Sequence, residues 1–464
     1  MRWPWSKKPP QVHKLRQPIE RHLKIDIAKA QSLSHDITPV ERLDLQRVLD
    51  RWIAESNPPA RELGYSTTGF MADDGLMRHL VTDQLIQAPV ERTQIDCGPG
   101  NHLDCLLRGL LLINRADHAV LIAFRPPRIT RELPVVEVVA ATRQIARETL
   151  TSLLDESRRS SVYKGRTISL EPSGSWREGF TVRFQTLRST PREQIVLPEE
   201  LIRVVERNVL GMLRHASALR EAGRSLRRGL LFHGPPGTGK TMMVRYLAGA
   251  CADHTVILLT GSRQGLVREA CQAARLLAPS IVVLEDVDLV AEDREQNRCR
   301  VVLHELLNEM DGLGERDEIT FLLTTNRPEV LEPALSGRPG RIDQAIEFPL
   351  PDENCRGRLF NVYGRGLDLT AVDVERWVGQ TNGVSPAFIE ELLRKAALLA
   401  SERGEVDQPL RLQDSDLRNA IQELVYFGGE LTQKLLGYHT GRFGFRVPSG
   451  DELAAASAPR PSTH

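Results

Sequence analysis

Gly234-Pro235-Pro236-Gly237-Thr238-Gly239-Lys240-Thr241 is the stretch on which the reading of this chain turns. An apolar run precedes it, with Leu230, Leu231 and Phe232 inside residues 229–233, and a helical pattern follows over residues 242–250. This is Gly-x-x-x-x-Gly-Lys-Thr in a strand–loop–helix setting. Its glycines let backbone N–H groups close on phosphate oxygens as a nest. The start of a helix brings positive dipole charge to the same place. Lys240 is expected to reach nucleotide phosphates, and the Thr241 hydroxyl to ligate Mg²⁺. The expected nucleotide-binding residues are Gly234, Pro235, Pro236, Gly237, Thr238, Gly239, Lys240, Thr241 and Met242.

Downstream, residues 255–259 read as a strand and residues 267–277 as a helix. Then Ile281-Val282-Val283-Leu284 runs into Glu285-Asp286-Val287-Asp288. Apolar residues ending in adjacent carboxylates suit a buried strand whose C-terminal edge faces a ligand. Glu285 is expected to orient the Mg²⁺ shell and Asp286 to polarise an attacking water. A further strand, residues 319–325, ends at Asn326, an amide placed to hold that water. Arg338 and Arg341 follow on a loop, separated by Pro339-Gly340. Guanidinium groups there suit stabilisation of transferring phosphate charge. The expected catalytic set is Lys240, Asp286, Asn326, Arg338 and Arg341. The expected metal ligands are Thr241 and Glu285.

In combination these motifs resemble the AAA family of P-loop ATPases, over roughly residues 194–427. The resemblance implies an ATPase with ATP and Mg²⁺ as cofactors, with residues 234–241 as Walker A, Glu285 and Asp286 as Walker B and Asn326 as sensor 1. It implies that Arg338 and Arg341 act on ATP bound in the neighbouring subunit of a homo-oligomeric ring, a hexamer. Residues 306–313 are similar to the helix and loop after Walker B in the branch that includes FtsH. Residues 383–387 fall where the sensor-2 segment of the helical lid begins, with Ser385 able to cap and Pro386 able to sit at the first helical position.

Three departures bear on the carry-over. The carboxylate order is Glu285-Asp286 where the family usually has Asp-Glu, an order shared with the mitochondrial AAA translocase of the Rieske protein; slow to moderate hydrolysis is expected. Residues 255–320 contain no Phe, Tyr or Trp, so the central loop expected near residues 261–265 lacks the aromatic by which threading relatives grip polypeptide. His304-Glu305-Leu306-Leu307-Asn308 begins like the zinc motif HExxH but has Asn308 where the second histidine is required. A zinc protease is therefore not expected.

The fold class expected is α/β: a P-loop parallel sheet with a C-terminal α-helical lid, plus an N-terminal α+β domain. The divisions are a flexible basic tail (1–34), an N-terminal α+β domain of unknown ligand (35–190), the ATPase core (191–350), the lid (351–427) and a C-terminal extension (428–464). Within the N-terminal part, residues 40–53 and 142–156 read as helices. Residues 118–124, 134–139, 166–170 and 180–184 read as strands. Residues 198–213 read as an amphipathic helix. Asp73, Asp74 and His79 are expected at the surface. Cys97, His102 and Cys105 supply three ligands and no second knuckle, so no zinc site is expected there.

The chain has 464 residues, with 61 Lys plus Arg against 61 Asp plus Glu. That balance excludes a uniformly basic coat for nucleic acid. Six scattered cysteines fit a reducing compartment. The basic start lacks the apolar run of a secretory signal. Residues 106–113 are interrupted by Arg108 and fall short of a membrane span. The expected setting is cytoplasmic. The function expected is a Mg-dependent, ring-forming ATPase that remodels a protein partner. Alternatives are a nucleic-acid-stimulated ATPase, suggested by the basic tail and Arg214, Arg220, Arg224, Arg227 and Arg228, and a nucleotide-gated scaffold with slow hydrolysis.

Overall fold

The computed structural model describes residues 13–67, 75–98, 100–127, 133–173, 179–260, 265–288, 297–312, 314, 317–331, 342–403 and 409–424. The strands, in chain order, are β1 (Gln31–Asp36), β2 (Arg61–Thr67), β3 (Leu85–Ala88), β4 (Glu91–Gly98), β5 (Asn101–Arg115), β6 (His118–Arg125), β7 (Val135–Ala140), β8 (Thr167–Pro172), β9 (Phe180–Phe184), β10 (Arg228–His233), β11 (Thr255–Thr260), β12 (Ser280–Glu285), β13 (Ile319–Thr325), β14 (Gln344–Glu347), β15 (Leu367–Ala371) and β16 (Leu410–Gln413). The residues gather into two compact units. The first draws on Met1–Thr186, Ala252–Val282 and Asp317–Ile319, the second on Leu187–Cys251, Val283–Arg316 and Thr320–His464.

The first unit is built on an antiparallel sheet of order β1-β7-β6-β5-β2-β3, with β4 also on β5. Both faces are covered. Leu111, Ile113, Val120, Ile122 and Val138 pack with Trp52 of the helix Pro39–Glu55 and Leu153 of the helix Arg143–Arg159. Leu110, Leu112, Leu121 and Val139 point the other way, to Leu15, Ile19 and Leu23. Successive strand residues alternate faces, so two covered faces require a continuous apolar run. Each fully buried Leu or Ile contributes about 1.5–3 kcal/mol.

Thr38 starts the Pro39–Glu55 helix as a capping box with Glu41, and Pro39 occupies its first turn. Within residues 1–34, where a basic tail is expected, residues 16–23 form the helix Arg16–Leu23 and bury Ile19 and Leu23. His79, expected at the surface, is buried in the helix Leu76–Val81, with Nδ1 3.3 Å from Gln84 Oε1. Asp73 and Asp74 lie outside the described residues. β9 pairs antiparallel with β8, and β8 pairs in parallel with β11, Thr167 opposite Val256.

In the second unit β10 lies between β13 and β14, parallel to both. Parallel pairing aligns the carboxyl ends of these strands on one edge. The segment expected as one helix over residues 198–213 passes from the helix Glu199–Glu206 through a π-type stretch, Arg207–Gly211, into Met212–Arg214. After residue 350 come the helices Glu353–Tyr363, Val374–Gln380, Pro386–Glu402 and Asp414–Gln422, and the parallel pair β15–β16. They share a core that includes Leu359, Phe360, Trp377, Phe388, Leu392 and Leu417. Ser385 caps the Pro386–Glu402 helix by accepting the Phe388 N–H at 3.2 Å.

Candidate active site

β10 ends at His233 and the chain turns at once through Gly234, φ +140°. A Cβ there would stand 2.3 Å from the Phe348 carbonyl oxygen, so no other residue fits. Thr238 is buried and donates its hydroxyl to the Pro235 carbonyl at 2.9 Å. Lys240 opens the helix Lys240–Ala250 behind Gly239, which brings no side chain to cap it. The first amide N–H groups of that helix therefore face the loop, where an anion is favoured.

The Lys240 side chain is 6% exposed, and its Nζ donates to the carbonyls of Gly234 at 2.8 Å and Pro235 at 2.9 Å. Burial lowers its pKa to about 8, partly offset by the charges of Asp286 and Asp288.

β12 ends in Glu285. The Thr241 hydroxyl hydrogen-bonds this carboxylate. Burial, with repulsion from Asp286, raises the Glu285 pKa despite that bond. Asp286 takes a left-handed backbone, φ +49°, a conformation that costs a non-glycine residue about 1–2 kcal/mol. Its N–H donates to Thr324 Oγ1 at 2.9 Å, and its Oδ1 accepts from Asn326 Nδ2 at 3.1 Å. Burial first, and then the neighbouring Asp288 charge, raise the Asp286 pKa. A carboxylate with raised proton affinity is a better base than an ordinary aspartate.

Lys240, Thr241, Asp286 and Asn326 open on one cavity of about 370 Å³. Gly237, Thr238, Gly239, Lys240, Thr241 and Met242 line it on the loop side, and Asp286 and Asn326 stand at the strand edge. Ile195, Val196, Leu197 and Leu359 offer an apolar flank. The volume falls in the range of small-ligand pockets.

The model of the AAA family, the ATPase family associated with various cellular activities, matches residues 230–350. The ATP-dependent zinc metalloprotease FtsH of Nitrosococcus oceani is 31% identical over 281 residues, 54% of this chain and 42% of that protein. The ATP-dependent zinc metalloprotease FtsH 3 of Sphaerobacter thermophilus is 32% identical over 240 residues, 49% of this chain and 47% of the relative. The proteasome-activating nucleotidase of Methanopyrus kandleri is 35% identical over 221 residues, 44% of this chain and 50% of the relative. Residues 230–350 are an AAA module. It resembles the ATPase domain of FtsH. The chain spans about half the length of these curated relatives.

Of the expected site residues in the AAA module, Lys240, Thr241, Glu285, Asp286 and Asn326 come together at the carboxyl edge of its strands. Arg338 and Arg341 lie outside the described residues, as do residues 261–264 of the expected central loop. Other residues carry weight that the sequence reading does not assign. Thr324 and Thr325 hold the two acidic positions from β13. Asp288 is buried beside them. Arg245 partly offsets the charge at Glu285. Ala387 sits on the phosphate loop, its N–H donating to the Gly237 carbonyl. The repeat of hydroxyls and carboxylates in Thr324-Thr325 and Glu285-Asp286-Val287-Asp288 is the signal that marks this cluster.

Proposed function

We propose that this chain binds ATP and hydrolyses it to ADP and phosphate, and that it works as a ring-forming remodeller of a protein partner. The observation that carries the reading is the convergence of Lys240, Thr241, Asp286 and Asn326 on one cavity. The Thr241 hydroxyl and Glu285 carboxylate are hard oxygen donors, the set that suits Mg²⁺. These two would hold the ion, which when bound supplies Lewis-acid polarisation of phosphoryl oxygen.

The chain's own groups do the rest. Lys240 exchanges its carbonyl partners for phosphate oxygens and neutralises their charge. Asp286 accepts a proton from the attacking water as the bond from the γ-phosphorus to the leaving ADP oxygen breaks. Asn326 fixes the Asp286 carboxylate by its amide. The helices after residue 350 act as a lid over the nucleotide, because Tyr363, Pro386 and Ala387 already border the cavity. Arg338 and Arg341 act in trans on the nucleotide of a neighbouring subunit, in a hexamer by resemblance. Asn308 in place of a second metal histidine supports an ATPase without zinc-protease chemistry. Cys97, Cys105, Cys251 and Cys355 are free thiols, which supports a reducing, cytoplasmic setting. Among the described residues no helix is long and apolar enough to cross a membrane.

A steady-state ATPase assay of Asp286→Asn against wild type tests the reading. A fall of roughly 10²-fold or more is expected for loss of a general base. Equal rates would remove Asp286 from catalysis. With hydrolysis stalled, the same variant in ATP is expected to retain its protein partner in a pull-down.

A further inference from the structure

Asp288 is a buried carboxylate to which the reading above gives no task. It is 4% exposed. Its Oδ1 accepts the Thr325 hydroxyl at 2.8 Å and the Asn326 backbone N–H at 3.2 Å. The Asn326 side chain in turn donates to Asp286 Oδ1 at 3.1 Å. On the other flank, Asp286 N–H donates to Thr324 Oγ1 at 2.9 Å and Val287 N–H to the Thr324 carbonyl at 3.0 Å. Residues 286–288 and 324–326 are thus tied at both ends, and one oxygen of Asp288 holds the far end.

We propose that Asp288 is a positioning residue for hydrolysis: by holding the backbone and side chain next to Asn326, it keeps the Asn326 amide on Asp286.

Asp286 sits in a left-handed backbone that is intrinsically unfavourable. The chain beyond it must be held, or Asp286 relaxes and its carboxylate turns away. Asp288 is two residues on, where the chain has come back against β13. One carboxylate oxygen that accepts two donors holds both of them in place at once. Removing it also leaves the Thr325 hydroxyl without that acceptor in a buried setting. The role is indirect, since Asp288 is not among the residues lining the cavity.

The inference rests on the ATPase reading, and the experiment separates the two. ATP turnover by the full chain is measured for wild type, Asp288→Ala, Asp288→Asn, Asn326→Ala and the double variant Asp288→Ala/Asn326→Ala. Affinity for a fluorescent ATP analogue and the melting temperature are measured in parallel. Asp288→Ala is expected to lower kcat roughly 10- to 100-fold, the scale of a small misplacement of catalytic groups, with nucleotide affinity within about twofold of wild type. Asp288→Asn keeps a carbonyl acceptor in the same place and is expected to restore about a third or more of the wild-type kcat.

The double variant is expected to match Asn326→Ala alone, because residues acting as one unit are not additive. Wild-type kcat in Asp288→Ala, or fully multiplicative losses in the double variant, would overturn the inference while leaving the ATPase reading standing. A wild-type chain that hydrolyses no ATP overturns both. If Asp288→Ala does not fold, Thr325→Val takes its place: it removes the hydroxyl donor at nearly constant volume. It is expected to lower kcat and not affinity, and an unchanged kcat counts against the role.

Discussion

The N–H of Ala387 donates to the carbonyl of Gly237 across 3.3 Å, so the first turn of the Pro386–Glu402 helix rests on the phosphate loop. Gly237 has φ +74°, and a Cβ there would stand 2.8 Å from Ala387 Cβ. Gly237→Ala must distort either the loop or the start of the helix. The expected outcome is at least a tenfold loss of ATP affinity, equivalent to about 1.4 kcal/mol, together with a lower melting temperature. Titration with a fluorescent ATP analogue and a thermal melt read both. Unchanged affinity would mean that loop and helix separate on nucleotide binding.

Asp44 is expected to make stability depend on pH. It is buried, and its Oδ1 accepts the Val162 N–H at 2.8 Å. Burial raises its pKa from 3.8 to about 6. A carboxyl with folded pKa above its unfolded value penalises folding once it ionises. The penalty is complete above about pH 6 and vanishes below pH 3.8, so this group's contribution to stability rises as pH falls through that window. Asp44→Asn keeps the acceptor and loses the charge. It is expected to be more stable than wild type at pH 8, by on the order of 1–3 kcal/mol, and equal to it near pH 4. Paired denaturant titrations at the two pH values check this; a pH-independent gap would assign the effect to packing.

Trp377 anchors the helices after residue 350 through its Nε1–H, which donates to Asp414 Oδ1 at 2.7 Å. Trp377→Phe keeps most of the buried ring and removes the donor. Loss of a hydrogen bond to a charged acceptor is expected to cost about 1.5–3 kcal/mol. The readout is a lower urea midpoint with little change in slope.

If Arg338 acts, as proposed, on the nucleotide of a neighbouring subunit, ATPase activity per subunit is expected to rise with protein concentration. Arg338→Ala is expected to lose roughly 10³-fold in kcat. Mixing Arg338→Ala with Asp286→Asn subunits is expected to restore part of the rate, because each variant supplies the group that the other lacks. Mixed samples no more active than either variant alone would place the arginine in its own subunit's site or outside catalysis.

The candidate site is legible in the sequence because its tightly packed loop tolerates few substitutes. Gly234 is dictated by the approach of Phe348, and Lys240, Thr241 and Asp286 are charged or hydroxyl groups that line one cavity. The helices Pro39–Glu55 and Arg143–Arg159 were visible within a few residues for their caps and apolar spacing. β5 was not. Its Leu110 and Leu112 enter one core while Leu111 and Ile113 enter another, so alternation, the usual mark of a strand, is absent. β1, reading Gln-Ser-Leu-Ser-His-Asp, has one apolar residue and owes its strand to pairing with β7. The sequence does not single out Asp288, because a third acidic residue in a run carries no signal of its own without Thr325 and Asn326 set against it.

The parallel pairing of β8 with β11 sets an order of events during synthesis. Thr167 meets its register partner Val256 only after the phosphate loop and its helix have been made. Until then the β8 edge that will take β11 is bare, while β9 can already close the opposite edge as a hairpin. An unpaired apolar edge, here bearing Ile168 and Leu170, is a template for pairing with another chain. Such non-local pairing is slow to form. The first unit therefore completes its folding late, and its β8 edge stays open to pairing with another chain until residue 256 has been made.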